Sequence, residues 1–167
     1  MTLPQLRALL SLVVVLVTAY ARAEDLAGTV VSVHDGDTLT VLVDSRQVEI
    51  HLADIDAPEL KQPFGQQSRE SLADLCIGKA AVVRETRRNG DGRTLGRVEC
   101  EGAEANVEQI RRGMAWVYQR HPDTASSIYF FQDVAQRIHE GLWADKMPVP
   151  PWEWRRLRRA APKLKKK

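Results

Sequence analysis

Two short acidic segments, Asp35-Gly36-Asp37-Thr38 and Asp56-Ala57-Pro58-Glu59, stand twenty-one residues apart, and an isolated Gly96-Arg97 follows. Four carboxylates on two turns offer oxygen ligands for a hard divalent ion and a candidate general base. The arginine offers a planar fork for a phosphoryl oxygen. Together these are the parts of metal-assisted phosphodiester hydrolysis. Taken singly, each has a plainer explanation. Asp-Gly between alternating apolar runs is a hairpin signal, Asp56 followed three residues on by Glu59 imitates a helix capping box, and a lone arginine ordinarily reaches for solvent. Oxygen-only ligation favours calcium or another hard divalent ion, and no Cys/His set in the sequence suggests zinc.

These residues need elements to hold them. From Leu26 to Ile55 apolar residues alternate with small or polar ones (Val31 and Val33; Leu39, Val41 and Val43; Val48, Ile50 and Leu52), which predicts a three-stranded meander. The second strand departs from the first acidic turn and the third returns to the second, so both turns emerge at one end of the sheet and Asp37 and Asp56 can share a cation. Phe64 to Ile77 reads as a helix stopped by Gly78. Two more strands fit Lys79 to Thr86 and Thr94 to Cys100, and helices fit Ala105 to Ala115 and Ser126 to Gly141. The class is α+β, with three helices around a five-stranded closed barrel, since an open sheet of this size would leave its edges exposed. Pro148 to Trp154 is read as too proline-rich for helix, packing back through Trp152 and Trp154.

The first 23 residues have the form of a signal peptide. Arg7 precedes an apolar run from Ala8 to Ala21, too short to cross a bilayer, and Ala21-Arg22-Ala23 offers a cleavage site before Glu24. The expected product is periplasmic or secreted and monomeric, with no membrane anchor. It divides into a barrel domain over 24–146 and a proline/tryptophan segment with a basic tail over 147–167. From Arg155 onward stand eight basic residues (Arg155, Arg156, Arg158, Arg159, Lys163, Lys165, Lys166 and Lys167) and no acid, which leaves the preceding body acidic. Such a tail either recruits a polyanion or is simply solvated. Cys76 and Cys100 in an oxidising compartment suggest a disulfide, the alternative being two small buried hydrophobes that never meet.

The ordered segments Val33-His34-Asp35-Gly36-Asp37-Thr38, Ile55-Asp56-Ala57-Pro58-Glu59, Leu95-Gly96-Arg97-Val98 and Asn106 through Arg112-Gly113-Met114-Ala115-Trp116-Val117-Tyr118 resemble the staphylococcal-nuclease-like (thermonuclease) family, from about Val30 to Trp143. Pro150-Pro151-Trp152-Glu153-Trp154 looks like the tail of its secreted bacterial members. The resemblance implies an OB-fold barrel and calcium-dependent cleavage of DNA and RNA that leaves 3′-phosphate ends. It implies calcium ligation by the carboxylates of Asp37 and Asp56 and the carbonyl of Ala57, with Asp35 in support. Glu59 would then be the general base and Arg97 would bind the phosphate. It also sets the first helix against the fifth strand, which implies a Cys76–Cys100 bond.

His51 departs from the pattern. The family places a second phosphate-binding arginine five residues before the second metal-ligating aspartate, and a neutral imidazole reaches less far and donates one hydrogen bond in place of a charged pair. Either His51 partly substitutes when protonated at acidic pH, or it is a half-exposed strand histidine with no role. The leading expectation is a nuclease weakened by His51. The alternative is a catalytically degenerate OB-fold module that binds nucleic acid or a protein partner without cutting.

Overall fold

The structure is a computed structural model that describes residues 25–118 and 126–160; the expected leader and the tail from 161 onward lie outside the described residues. Its strands are β1 (Leu26–Val33), β2 (Thr38–Val43), β3 (Arg46–Leu52), β4 (Ile55–Asp56), β5 (Ala80–Arg88), β6 (Thr94–Cys100), β7 (Ala103–Glu104) and β8 (Trp116–Val117). Its helices are α1 (Gly65–Cys76), α2 (Ala105–Arg111), α3 (Ser126–Arg137) and α4 (Pro151–Ala160), with a 3-10 turn at Gly141–Ala144.

The main sheet runs in the order β3-β2-β1-β5-β6-β7, and a parallel pairing of β3 with β6 closes its first five strands into a barrel. This is the OB-fold architecture that the strand count predicts. Alternate residues of these strands point inward, and Val30, Leu39, Val41, Ile50, Leu52, Val83 and Val98 form one buried cluster with Leu72 of α1 and Ile110 of α2. The closing register matters most for the chemistry. Thr38 of β2 lies opposite His51 of β3, which lies beside Leu95 of β6, while Leu52 lies beside Gly96. The first acidic turn, position 51 and the Gly96-Arg97 pair are therefore neighbours across three adjacent strands.

Cys76 at the end of α1 and Cys100 at the end of β6 form a disulfide, with Cα atoms 5.3 Å apart and both residues buried. The two later helices end sooner than their apolar stripes predict. Gly113 and Gly141 are both at positive φ where α2 meets the 3-10 turn, Gly113 close against the Glu140 carbonyl and Gly141 against the carbonyls of Arg112 and Gly113, and His139 at φ 57° ends the α3 path.

The segment predicted to be non-helical is the main correction. Pro151 opens α4, where its fixed φ suits the first helical turn and its missing N–H costs nothing. The N–H of Trp154 donates to the Pro150 carbonyl at 3.0 Å, so the prolines start this helix instead of preventing it. The described residues thus carry four α-helices rather than three. Trp152 packs back as expected, with ring centroids 5.9 Å from both Trp116 and Tyr118.

Candidate active site

The first acidic turn is held by backbone geometry from within and by α2 from behind. His34 N–H donates to Thr38 O at 2.8 Å, and Asp35 Oδ1 accepts from the Asp37 N–H at 3.1 Å, which fixes the backbone of the turn at Asp37. Gln109 of α2, fully buried, donates through Nε2 to Gly36 O at 2.7 Å and to Ser68 O of α1 at 3.0 Å, while its Oε1 accepts from Ser71 at 2.7 Å. Gly36 is required by this close approach, because a Cβ there would overlap Ser68 Oγ and crowd Ala57.

The second turn begins on the short ladder of β4 and β8, where Asp56 is paired with Trp116. The two turns join directly. The Ala57 N–H donates to Asp37 Oδ2 at 2.6 Å and the Thr38 hydroxyl donates to Asp37 Oδ1 at 2.9 Å. Asp37 is nonetheless pushed well above the usual carboxylate range, first by burial and then by the charges of Asp35 and Asp56, against which these two donors work. Asp56 is raised mainly by burial, with Glu59 and Asp35 adding to it, and is held down by Arg155.

Arg155 of α4 is the site residue that the sequence reading left in the solvated or polyanion-binding tail. Its Nη1 donates to Asp56 Oδ1 at 3.0 Å and to Glu59 Oε1 at 3.0 Å, and its Nη2 donates to Asp56 Oδ2 at 2.7 Å. These bonds, led by that to Asp56, raise the guanidinium pKa further against the opposing effect of burial. One signal for it was present: Trp152 and Arg155 are three apart, so a helix beginning at Pro151 would put them on one face.

Glu59 is anchored by its backbone, with Gln62 N–H donating to its carbonyl at 2.7 Å, while its carboxylate stays about 42% exposed. Arg97 projects from β6 toward Asp54, two residues before Asp56, with Nη2 at 3.3 Å from Oδ2 and Nη1 at 3.8 Å from Glu104 Oε1; Arg87 reaches the other Asp54 oxygen at 3.3 Å. Asn106 ties this strand down by accepting from Val98 N–H at 3.0 Å and donating to Ala53 O at 2.8 Å. His51 is mostly covered. Its Nδ1 lies 3.0 Å from the Thr38 hydroxyl and its Nε2 3.2 Å from Glu49 Oε1. His51 touches the acidic turn through Thr38, whose hydroxyl also bonds Asp37.

The donor chemistry fits a hard cation. Two carboxylates crowded at low dielectric favour a positive partner, and Asp56 already grips a guanidinium with both oxygens. Among the described residues no three His, Cys, Asp or Glu side chains are grouped as a metal cluster. An ion held by Asp37, Asp56 and the Ala57 carbonyl would complete its shell with water, as hard divalent ions tolerate.

The staphylococcal nuclease homologue family model matches residues 49–145 of this chain. A micrococcal nuclease from Shigella flexneri is 38% identical over 95% of this chain and 97% of its own length. An uncharacterized endonuclease from Escherichia coli is 41% identical over 78% of this chain and 86% of its own. Protein ParB from Escherichia coli is 38% identical, covering 90% of each.

Proposed function

This chain belongs to the staphylococcal nuclease homologue family, and on that premise we propose that it is a nuclease that hydrolyses phosphodiester bonds of DNA or RNA, depends on calcium and leaves 3′-phosphate ends. The observation that carries this reading is the direct bond between the two acidic turns, Ala57 N–H to Asp37, which sets the half-buried Asp37 and the buried Asp56 beside a partly exposed Glu59.

Asp37, Asp56 and the Ala57 carbonyl are the ligands for calcium, which when bound supplies Lewis-acid charge neutralisation at a phosphate oxygen. Asp35 supports Asp37 through its backbone N–H. Glu59 takes a proton from water as its oxygen bonds to phosphorus. The P–O5′ bond then breaks, the phosphate stays on the 3′ side, and the departing 5′ oxygen gains a proton from solvent. Arg97 stabilises the negative charge that gathers on the phosphoryl oxygens. We assign His51 to the support of Asp37 through Thr38. The secretory leader at 1–23 and a periplasmic or secreted, monomeric product are part of the same proposal, and the Cys76–Cys100 bond supports an oxidising destination.

Purified protein incubated with single-stranded DNA or RNA should cleave in calcium and stop in excess chelator, and its products should resist polymerase extension until treated with a phosphatase. Undiminished cleavage in chelator would overturn the calcium assignment, and directly extendable ends would overturn the 3′-phosphate. A non-cutting binding module remains the second reading, favoured by the guanidinium resting on Asp56 and Glu59. Intact substrate under every ionic condition would select it.

A further inference from the structure

The guanidinium that the fold delivers to the acidic turns comes from a distant part of the chain. Arg155 lies 99 residues beyond Asp56 and 96 beyond Glu59. Several contacts hold its helix in place. Gln62, whose backbone N–H anchors Glu59, also donates through Nε2 to Val149 O at 2.6 Å, just before α4. Pro151 is buried, and Trp152 rests against Trp116 and Tyr118. Trp116 is the β8 partner of Asp56, so the surface that receives the helix and the carboxylate that receives the guanidinium belong to one ladder. Trp152 docks the helix, and the residue three places on enters the site.

Arg97 and Arg87 approach the site from β6 and β5 and share Asp54, and His51 lies between Thr38 and Glu49, whereas Arg155 is a cation set against Glu59 itself. Displacement at phosphorus places charge on oxygens next to the base, and a guanidinium fork meets two such oxygens at once. A fork 3.0 Å from Glu59 is within reach of whatever phosphate Glu59 serves.

Building on the nuclease reading, we propose that Arg155 is a phosphate-binding catalytic residue, carried in on the C-terminal helix. Without cation or substrate its fork rests on Asp56 and Glu59; with both bound, it contacts the phosphate beside Glu59. The contact with Asp56 means that Arg155 competes with a cation for that carboxylate, while the contact with phosphate means that it promotes cleavage.

These opposed effects define the test. Wild type, Arg155→Ala and Arg155→Lys are compared by calorimetric titration with calcium alone, by binding of a cleavage-resistant phosphorothioate single-stranded DNA, and by kcat/KM on ordinary DNA. Thermal melts identify any variant that has not folded, and the lysine variant serves if alanine is lost. Arg155→Ala should bind calcium several-fold more tightly, bind the phosphorothioate DNA more weakly, and lose about 10²-fold in kcat/KM. Arg155→Lys keeps the charge without the fork and should fall between. Calcium affinity that is unchanged or weaker would show that the grip on Asp56 does not operate in solution and overturn the proposal. Tighter calcium with equal or faster cleavage would make Arg155 an obstruction and overturn it equally. A wild-type protein that cuts nothing yet binds phosphorothioate DNA through Arg155 would end the nuclease reading and leave the phosphate contact standing.

Discussion

The barrel interior and the acidic pole at its end are made by opposite means. The interior is apolar, closed on itself and filled from every strand, so each side chain there gains by leaving water. The pole gathers Asp35, Asp37, Asp56 and Glu59 where desolvation and mutual repulsion raise the pKa of Asp37 and Asp56, so its groups would each be more stable apart. One region holds the fold together; the other is held together by it, through Gln109, Asn106 and the Arg155 fork. The lesson is that stability and chemistry are separable here, and substitutions should tell them apart.

The largest separation should come from Glu59→Gln. Its carboxylate is half-exposed and its carbonyl makes the backbone anchor, so the melting temperature should hardly move while kcat falls roughly 10³-fold, in the range of a lost general base. Equal loss of stability and rate would break the distinction. Ile50→Ala tests the other region: a fully buried core side chain is removed, and unfolding measured in urea should show a loss of about 2–5 kcal/mol. Reduction of Cys76–Cys100 should cost ~3 kcal/mol by the chain-entropy argument.

His51→Arg places a second fork on the strand beside Thr38. In an Arg155→Ala background it should restore kcat roughly ten- to a hundredfold, about 1.4–2.7 kcal/mol of barrier, and in the wild-type background it should do much less. Matching gains in both backgrounds would show that the two positions serve different oxygens.

The smallest effect is a gain. A carboxyl whose folded pKa is raised binds its proton more tightly folded than unfolded, so its stabilising contribution is complete below the ordinary value near ~4 and is lost as pH rises through the raised value. The cation-free protein should therefore lose stability on this account from mildly acid toward neutral pH, because Asp37 and Asp56 must ionise while buried. Asp37→Asn keeps the acceptor for the Ala57 N–H and removes the charge. In chelator at pH 7 it should melt higher by roughly 2–4 °C, about 1 kcal/mol for a chain of this size, while calorimetry detects no calcium binding. A lower melting point would mean that the hydrogen bonds of Asp37 outweigh its buried charge.

Much of the barrel was legible in the chain. Leu39 to Val43 and Val48 to Leu52 repeat with period two and all three strands formed at nearly the expected limits, but Val31 does not share the face of Val33, because a bulge between Val30 and Ser32 turns Val31 outward and buries Val30. The acidic turns were legible because Asp-Gly and Asp-Ala-Pro are local signals. That the barrel closes was legible from the strand count; which strands close it, with Ile50 beside Thr94, was not, since strands so far apart in sequence leave no mark of their pairing on local pattern. Arg155 was hidden in two ways. It stands in a run of like charges whose ordinary meaning is a solvated tail, and its helix begins with residues that elsewhere end helices. Its partner is 99 residues away, a distance over which spacing says nothing.

Ala144 to Met147 join the barrel to α4, and all four are exposed, Met147 by 81%. A protease cutting after Lys146 would spare the core, the disulfide and both acidic turns, since every one of them lies before the cut. Only α4 would change status, from a covalently tethered arm to a short peptide held by the Trp152 packing, the Gln62–Val149 hydrogen bond and the Arg155 fork, and diluted from the high local concentration of a tether into bulk solution. On the role proposed for Arg155, a single nick would lower activity without unfolding the barrel, and a synthetic peptide spanning Val149 to Ala160 would restore it.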